Sequence, residues 1–170
     1  ESPTGIGSGG DLNDHQTLPK GAHTGPHGII AFHDYEEGLA YAKQINKPIL
    51  LDFTGYACVN CRKMEDYVWS DKIILSILKN EVVLISLYVD DKKELAENEK
   101  YVSKETGKKI KTIGNKWSDF QITKYKANAQ PYYLILDTEG TTISEEPASY
   151  DPDIDLYENW LREGISKFKK

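Results

Sequence analysis

Residues 51–65 read LDFTGYACVNCRKME, and this stretch predicts how the chain folds. It begins inside an apolar run, residues 48–53, which is typical of a β-strand that is covered on both faces. After a short loop we expect a helix to begin at Cys58 and to run to about Val68. A buried strand therefore leads into a helix that opens with a Cys-x-x-Cys motif, Cys58 to Cys61.

The elements around this unit alternate between strands and helices. Before this unit we expect a strand at 28–32 and a helix at 35–46. After it we expect a short helix at 71–78, a strand at 81–89, and a charged segment at 91–117 with a helix and an irregular excursion. The last elements are a helix at 118–126, a strand at 131–136 with a hairpin partner at 141–144, and a final helix at 151–167. This order predicts an α/β fold in which helices cover both faces of a mixed central sheet.

Residues 1–27 differ in composition from the remainder of the chain. They contain Gly-Ser-Gly-Gly at 7–10, Pro19, Pro26, three histidines and few large apolar side chains. Such a segment buries too little apolar surface to offset the entropy of ordering. We therefore predict a flexible leader or linker at 1–27 and one folded domain at 28–170.

Composition excludes several classes of function. The chain has 170 residues and a net charge of −6, with its basic residues spread along its length. Without a basic stripe or a basic amphipathic helix, we expect binding neither to nucleic acid nor to a membrane surface. No apolar run reaches the roughly 20 residues of a membrane span, and no signal peptide is visible. Because the chain begins with Glu1 and its only methionine is Met64, we expect a processed or excised fragment whose anchor or signal would lie upstream.

The two cysteines, Cys58 and Cys61, are three residues apart. A disulfide between them closes almost no loop and adds little stability, so redox chemistry explains them better. Residues i and i+3 of a helix are neighbours, which allows the two sulfurs to reach bonding distance. Free N–H groups at a helix start favour an anion, so we expect the pKa of the Cys58 thiol to be lowered and Cys58 to attack. The less exposed Cys61 would then resolve the mixed disulfide.

Val59 and Asn60, between the cysteines, carry no positive charge that would stabilise a thiolate, so we predict a reductant rather than a strong oxidant. Two other interpretations remain open at this point: the cysteines belong to a zinc or copper site, or they are idle in a peptide-binding module. A metal would need further ligands. A second Cys-x-x-Cys is absent, and the available histidines are His15, His23 and His27 in the predicted leader and His33 near the first strand. We therefore expect no metal and no cofactor beyond a redox-active Cys58–Cys61 disulfide.

Two acidic residues flank the motif. Asp52 lies inside the apolar strand, where a carboxylate is costly unless it is paired or protonated. Burial would raise its pKa, so it is a candidate proton acceptor for Cys61, although a hydrogen-bonded structural role would also place it there. Glu65 lies four residues after Cys61, on the same helical face, where it either tunes the dithiol or belongs to a solvated surface.

Pro131 opens a strand and follows Gln130. Proline is tolerated at the start of a strand without special purpose. The functional alternative is a cis peptide bond that turns the Gln130 backbone outward to pair with an extended substrate. Tyr56 and Ala57, just before the first cysteine, would line the same substrate-binding surface.

The stretch 51–65 closely resembles the C-terminal thioredoxin-like domain of bacterial DsbD-type thiol:disulfide interchange proteins. The resemblance extends through Val68-Trp69, residues 86–91 and Gln130-Pro131, and it covers about residues 28–168. It implies a thioredoxin fold with an extra insertion near 91–117. It also implies a protein-disulfide reductase domain, monomeric and on the periplasmic face of a larger inner-membrane protein.

Within that family, the membrane-embedded part supplies electrons, and the clients include disulfide isomerases and cytochrome c maturation factors. The resemblance matches Cys58 to the attacking cysteine, Cys61 to the resolving one and Pro131 to the cis proline. Asp52 and Glu65 match the acids that family members place near the dithiol. The chain departs from the family at Ala57, where many relatives carry Trp, and at Tyr132, where Thr is usual, so the client stays open. A free-standing thioredoxin-like reductase of secreted proteins is the nearest rival.

Overall fold

The computed structural model of the chain describes residues 18–169. The strands are β1 (Ala22–Thr24), β2 (Ile30–Phe32), β3 (Ile49–Thr54), β4 (Val83–Tyr88), β5 (Tyr101–Val102), β6 (Lys109–Ile110) and β7 (Tyr132–Leu136). The helices are α1 (Tyr35–Ile45), α2 (Val59–Tyr67), α3 (Lys72–Asn80), α4 (Ile113–Tyr125) and α5 (Ile154–Ser166), with 3-10 turns at Pro26–Gly28 and Glu97–Glu99.

Five of the strands form one mixed sheet in the order β1-β2-β4-β3-β7. Strands β2, β4 and β3 run parallel, and β1 and β7 run antiparallel to their neighbours. Every residue of β3 is buried, as expected for a continuous apolar strand at the centre of a sheet. The predicted α/β architecture is confirmed.

Two apolar clusters cover the two faces of this sheet. Leu50 packs in one cluster with Met64 of α2 and with side chains of α3 and α5. Its neighbour Leu51 packs in the other cluster, with Trp117 of α4 and side chains of α1. Successive residues of a strand point to opposite faces, so β3 alone anchors both helical layers.

Side-chain caps fix where several helices begin. Asp34 accepts from the Glu37 N–H at the start of α1, the helix expected at 35–46. Asp71 caps α3 and Asp153 caps α5 in the same way. Each such cap satisfies a backbone donor that the first helical turn leaves unpaired.

The N-terminal boundary lies earlier than predicted. Residues 22–24 form β1, which pairs with β2, so the expectation of an unfolded segment to residue 27 is wrong for this part. Backbone hydrogen bonds hold this strand, and its short, partly exposed sequence lacks the apolar alternation by which strands are recognised. Residues 1–17 of the predicted leader lie outside the described residues.

The segment 91–117 also differs from the prediction. Within residues 91–112, which the structure describes throughout, there is no α-helix; a 3-10 turn is followed by the two-stranded β5–β6 hairpin. Helix α4 begins at Ile113 rather than near Ser118, because Thr112 caps it. Residues 141–144 form no strand, but they turn back onto β7 through an isolated bridge between Leu136 and Thr142 and through the Ile143 N–H, which donates to the Ile135 carbonyl at 2.8 Å.

Candidate active site

Cys58 lies at the boundary between a loop and a helix. Strand β3 ends at Thr54, and Cys58 is the N-cap residue of α2, where its sulfur accepts a hydrogen bond from the Cys61 N–H at 3.2 Å. The two cysteines are joined by a disulfide, with their Cα atoms 5.3 Å apart. Cys58 is partly exposed, whereas Cys61 is only 1% exposed. The first sulfur is therefore more accessible from solvent than the second.

The loop before Cys58 is held by Asp90, which follows β4. Its carboxylate accepts the N–H of Tyr56 at 2.8 Å and the N–H of Ala57 at 3.0 Å. The Tyr56 ring is 57% exposed and stacks on Tyr88, with ring centroids 4.0 Å apart. Asp90 thus fixes the backbone of Tyr56 and Ala57, the two residues predicted to line the substrate-binding surface. Tyr56 presents an aromatic ring to solvent.

Asp52 is buried in β3, with 2% of its surface exposed. The Ser86 hydroxyl, on the adjacent strand β4, donates to its Oδ2 at 3.0 Å. Burial raises the pKa of Asp52 to about 7; the Ser86 hydrogen bond and the charge of Arg62 oppose this, and the charge of Glu65 adds to it. A carboxyl group with this pKa changes its protonation state close to neutral pH.

Glu65 is not part of a solvated helix face, since its side chain is 12% exposed. Its Oε2 forms an ion pair with Arg62 Nη2 at 2.8 Å. Burial raises the pKa of Glu65, and the neighbouring Arg62 guanidinium opposes that rise. Arg62 also donates to Thr54 Oγ1 at 3.1 Å and to the Tyr56 carbonyl at 3.5 Å, so it ties α2 to the end of β3 and to the loop.

The Gln130–Pro131 peptide bond is cis. This is the form that the substrate-binding interpretation of Pro131 requires. Tyr132 pairs with Phe53 in the antiparallel register of β7 and β3. Pro131 therefore lies beside the carboxyl end of β3, the strand that leads to Cys58. The register brings Gln130-Pro131 to the same end of the sheet as the cysteine motif.

A family model described as a thioredoxin-like domain matches residues 35–163, more than half of the chain. The chain belongs to this family. The thioredoxin-like domain is also 39% identical, over 51 residues, to the thiol:disulfide interchange protein DsbD of Vibrio vulnificus strain CMCP6. That alignment covers 30% of this chain and 9% of the relative, so the chain spans only a small part of the curated protein that it matches.

Solved structures share the fold at low sequence identity. The DsbH oxidoreductase has a TM-score of 0.56 and 20% identity, over 78% of this chain and 82% of its own. A thioredoxin from Thermus thermophilus has a TM-score of 0.54 and 19% identity, over 77% and 83%. The reduced C-terminal domain of DsbD from Neisseria meningitidis has a TM-score of 0.52 and 16% identity, over 75% and 90%. At such identities these structures establish the thioredoxin-like fold.

Three residues of the site were given no role in the sequence analysis: Arg62, Ser86 and Asp90. All three act through contacts between elements, with Ser86 and Asp90 each more than thirty positions from its partner. Arg62 lies beside Cys61 in the motif, yet nothing in the spacing shows that its guanidinium turns back to the end of β3.

Residues 18–169 contain neither a cluster of metal ligands nor a helix that could cross a membrane. This range contains no group of three or more His, Cys, Asp or Glu side chains suited to hold a metal ion. His23 and His33 stack on one another with ring centroids 4.6 Å apart, and His15 lies outside the described range. No helix in the same range is long and apolar enough to cross a membrane.

Proposed function

We propose that this thioredoxin-like domain is a protein-disulfide reductase that works by dithiol exchange. The proposal rests mainly on one observation: a partly exposed cysteine caps a helix and is bonded to a buried cysteine one turn further on. In a thioredoxin-like fold this arrangement favours an attacking sulfur that clients can reach and a resolving sulfur that they cannot.

The first step begins with both cysteines reduced. The Cys58 thiolate, which the Cys61 N–H and the helix dipole stabilise, attacks one sulfur of a client disulfide. A bond forms between Cys58 and that sulfur while the client S–S bond breaks, and the second client sulfur leaves as a thiolate that takes a proton from solvent. The product is a mixed disulfide.

The second step releases the client. Asp52, in its carboxylate form, accepts the proton of the Cys61 thiol directly or through a water, and its pKa of about 7 suits this task near neutral pH. The Cys61 sulfur then attacks Cys58, the Cys58–Cys61 disulfide forms, and the remaining client sulfur leaves as a thiolate. Two electrons have passed from the domain to the client.

The client chain would lie across the surface between Gln130 and the loop that carries Tyr56. Within residues 18–169, neither the N–H nor the carbonyl of Gln130 takes part in a backbone hydrogen bond. An extended client segment can therefore pair with this backbone, as an added strand does at a sheet edge. Tyr56 and Ala57 would then contact the residues around the client disulfide from the other side of Cys58.

A DsbD-type setting is the finer part of the proposal. The alignment with Vibrio vulnificus DsbD and the fold shared with the Neisseria meningitidis DsbD domain support it. In this setting a membrane-embedded partner domain reduces the oxidised pair, the domain acts on the periplasmic face as a monomer, and periplasmic disulfide proteins are the clients. Transfer from the partner is itself a dithiol exchange, so no other cofactor is required.

Replacing each cysteine separately tests the reaction. The 170-residue chain, kept reduced by dithiothreitol, should accelerate insulin reduction, and Cys58→Ser should abolish this acceleration because the attacking sulfur is gone. Cys61→Ser should instead accumulate a mixed disulfide with proteins of a periplasmic extract, visible as dithiothreitol-sensitive adducts in electrophoresis. The double variant is the control and should trap nothing. Equal insulin reduction by wild type and Cys58→Ser would refute the proposal.

A further inference from the structure

Gln121 is a polar side chain with no exposed surface, and it lies on α4 rather than on the cysteine helix. Its Nε2 donates to the Ala129 carbonyl at 2.9 Å. Its Oε1 accepts from Gln130 Nε2 at 3.1 Å. Both ends of the amide are therefore occupied by the two residues that precede Pro131.

Burying an amide is costly unless its donors and acceptors are satisfied. The chain meets this cost by linking the interior of α4 to the short loop between that helix and β7. Within residues 18–169, the Gln130 side chain forms no other hydrogen bond. Gln121 thus fixes both the Ala129 carbonyl and the side-chain direction of the residue whose backbone faces the proposed client.

We propose that Gln121 is a positioning residue for client binding: it holds Gln130 so that its main chain is presented to an extended polypeptide beside Cys58. This inference rests on the proposed disulfide reductase function. It predicts that Gln121 matters for disulfides carried by a polypeptide and not for small disulfides, which bind no backbone. The chemistry of the Cys58 sulfur should be unchanged, because the hydrogen bonds of Gln121 within residues 18–169 go to Ala129 and Gln130 and not to either cysteine.

Two substrates separate these effects. Insulin supplies a disulfide in a polypeptide, and 5,5′-dithiobis(2-nitrobenzoate) supplies a small one. For Gln121→Met, which keeps the length of the side chain and removes both hydrogen bonds, the KM for insulin should rise roughly fivefold to tenfold with kcat changed less than twofold. The rate with the small disulfide should stay within twofold of wild type.

Two further variants isolate the contacts. Gln121→Glu can keep both hydrogen bonds only while its buried carboxyl group is protonated, so its KM for insulin should be near wild type at low pH and rise as the pH rises. Gln130→Ala removes the side chain that Gln121 holds, and the double variant with Gln121→Met should raise KM by less than the product of the two single effects. Thr123→Val, an exposed change on the same helix, is the matched control and should behave as wild type.

The outcomes are distinguishable. An insulin KM that stays within twofold of wild type in Gln121→Met overturns the positioning role. So does an equal loss with both substrates, because that loss reports general damage to the fold. If Gln121→Met does not fold, Gln130→Ala decides, and an unchanged insulin KM in that variant overturns the inference. A wild-type chain that reduces neither substrate refutes the reductase function itself and this inference with it.

Discussion

Asp52 is a carboxyl group inside a strand whose other members are almost all apolar. The folded chain keeps it there by a single hydrogen bond from Ser86 and by the charge of Arg62. These two contributions do not offset its burial, so the pKa of Asp52 rises from 3.8 to about 7. A carboxyl group that titrates in this range affects both the stability of the fold and its chemistry.

The stability of the oxidised chain should fall as pH rises from about 4 to about 7. In this window the unfolded chain loses the Asp52 proton and the folded chain keeps it; below it both states hold the proton, and above it neither does. Asp52→Asn should therefore match wild type at pH 4 and exceed it at pH 8, by up to about 4 kcal/mol in the free energy of unfolding. Urea unfolding across this pH range measures the difference.

Asp66→Asn, which changes an exposed carboxyl group on α2, is the control and should track the wild-type curve at every pH. A difference between Asp52→Asn and wild type that does not vary with pH would contradict the raised pKa.

Asp52→Asn should also slow release of a client from the mixed disulfide by about 100-fold at pH 7, since the proton acceptor is lost. Ser86→Ala should keep the release rate at high pH and move its midpoint upward, because the hydrogen bond that lowers the pKa of Asp52 is gone.

For individual residues, the sequence predicted which side chains bear the chemistry but not which side chains surround them. Cys58 and Cys61 were recognised from their spacing, and Asp52 from its place in an apolar run. Arg62 and Gln121 were not given roles, because helical surfaces often carry such side chains and local periodicity does not show which of them turn inward. Their partners, Thr54 and Ala129, lie in other elements and meet them only in the folded chain.

Among the elements, α4 shows how a cap decides where a helix begins. Thr112 Oγ1 accepts from the Asn115 N–H at 3.0 Å, and Asn115 Oδ1 accepts in return from the Thr112 N–H at 3.2 Å. This reciprocal pair is a capping box with Asn in the place where Glu or Gln is usual, so the sequence pattern did not reveal it. Ser118, where the sequence analysis placed the start of this helix, lies inside it.

Thr112→Ala should lower the free energy of unfolding by about 1 kcal/mol, because the first turn of α4 loses a hydrogen-bond acceptor. Ser118→Ala, the matched change at the expected start of the helix, should leave the free energy of unfolding unchanged or slightly raised, since Ala is the better residue inside a helix. Urea unfolding of both variants gives the comparison. The structural assignment of the cap is contradicted if Ser118→Ala is the more destabilising of the two.

For helices and strands with strong patterns, the sequence was a good guide. Strand β3 follows from a run that is apolar except for Asp52, and α1 agrees with the helix expected at 35–46. Strand β1 was missed because three residues, two of them exposed, give no periodic signal. A short strand at a sheet edge is set by the neighbour it pairs with, which local sequence does not describe.

For the whole molecule, β1 extends the sheet beyond the part that the family model matches. It pairs with β2 at three positions, and the following turn brings His27 Nε2 to 2.7 Å from the Glu65 carbonyl oxygen. The segment 22–27 therefore contacts both the sheet and α2. Without it, the edge of β2 would expose unpaired backbone groups to solvent and to other chains.

A chain that begins at residue 28 should be less stable than one that begins at residue 18, by about 1–3 kcal/mol, because it loses these backbone pairs and the His27 contact. Urea unfolding of the two truncated chains measures the change, and light scattering at high concentration should show more self-association for the shorter one. Equal stability of the two chains would instead support the domain boundary predicted at residue 28.

Asp90 places a negative charge on the two backbone amides immediately before Cys58. Those amide dipoles are therefore directed at a carboxylate and not at the sulfur, which leaves the start of α2 as the main support for a thiolate. A thiolate that its surroundings stabilise only weakly is a stronger nucleophile and a poorer leaving group. Weaker support makes the Cys58 thiolate more reactive but reduces the fraction that is ionised, and it makes a mixed disulfide at Cys58 slow to revert. The lifetime of that mixed disulfide would then depend on how quickly the buried Cys61 thiol is deprotonated.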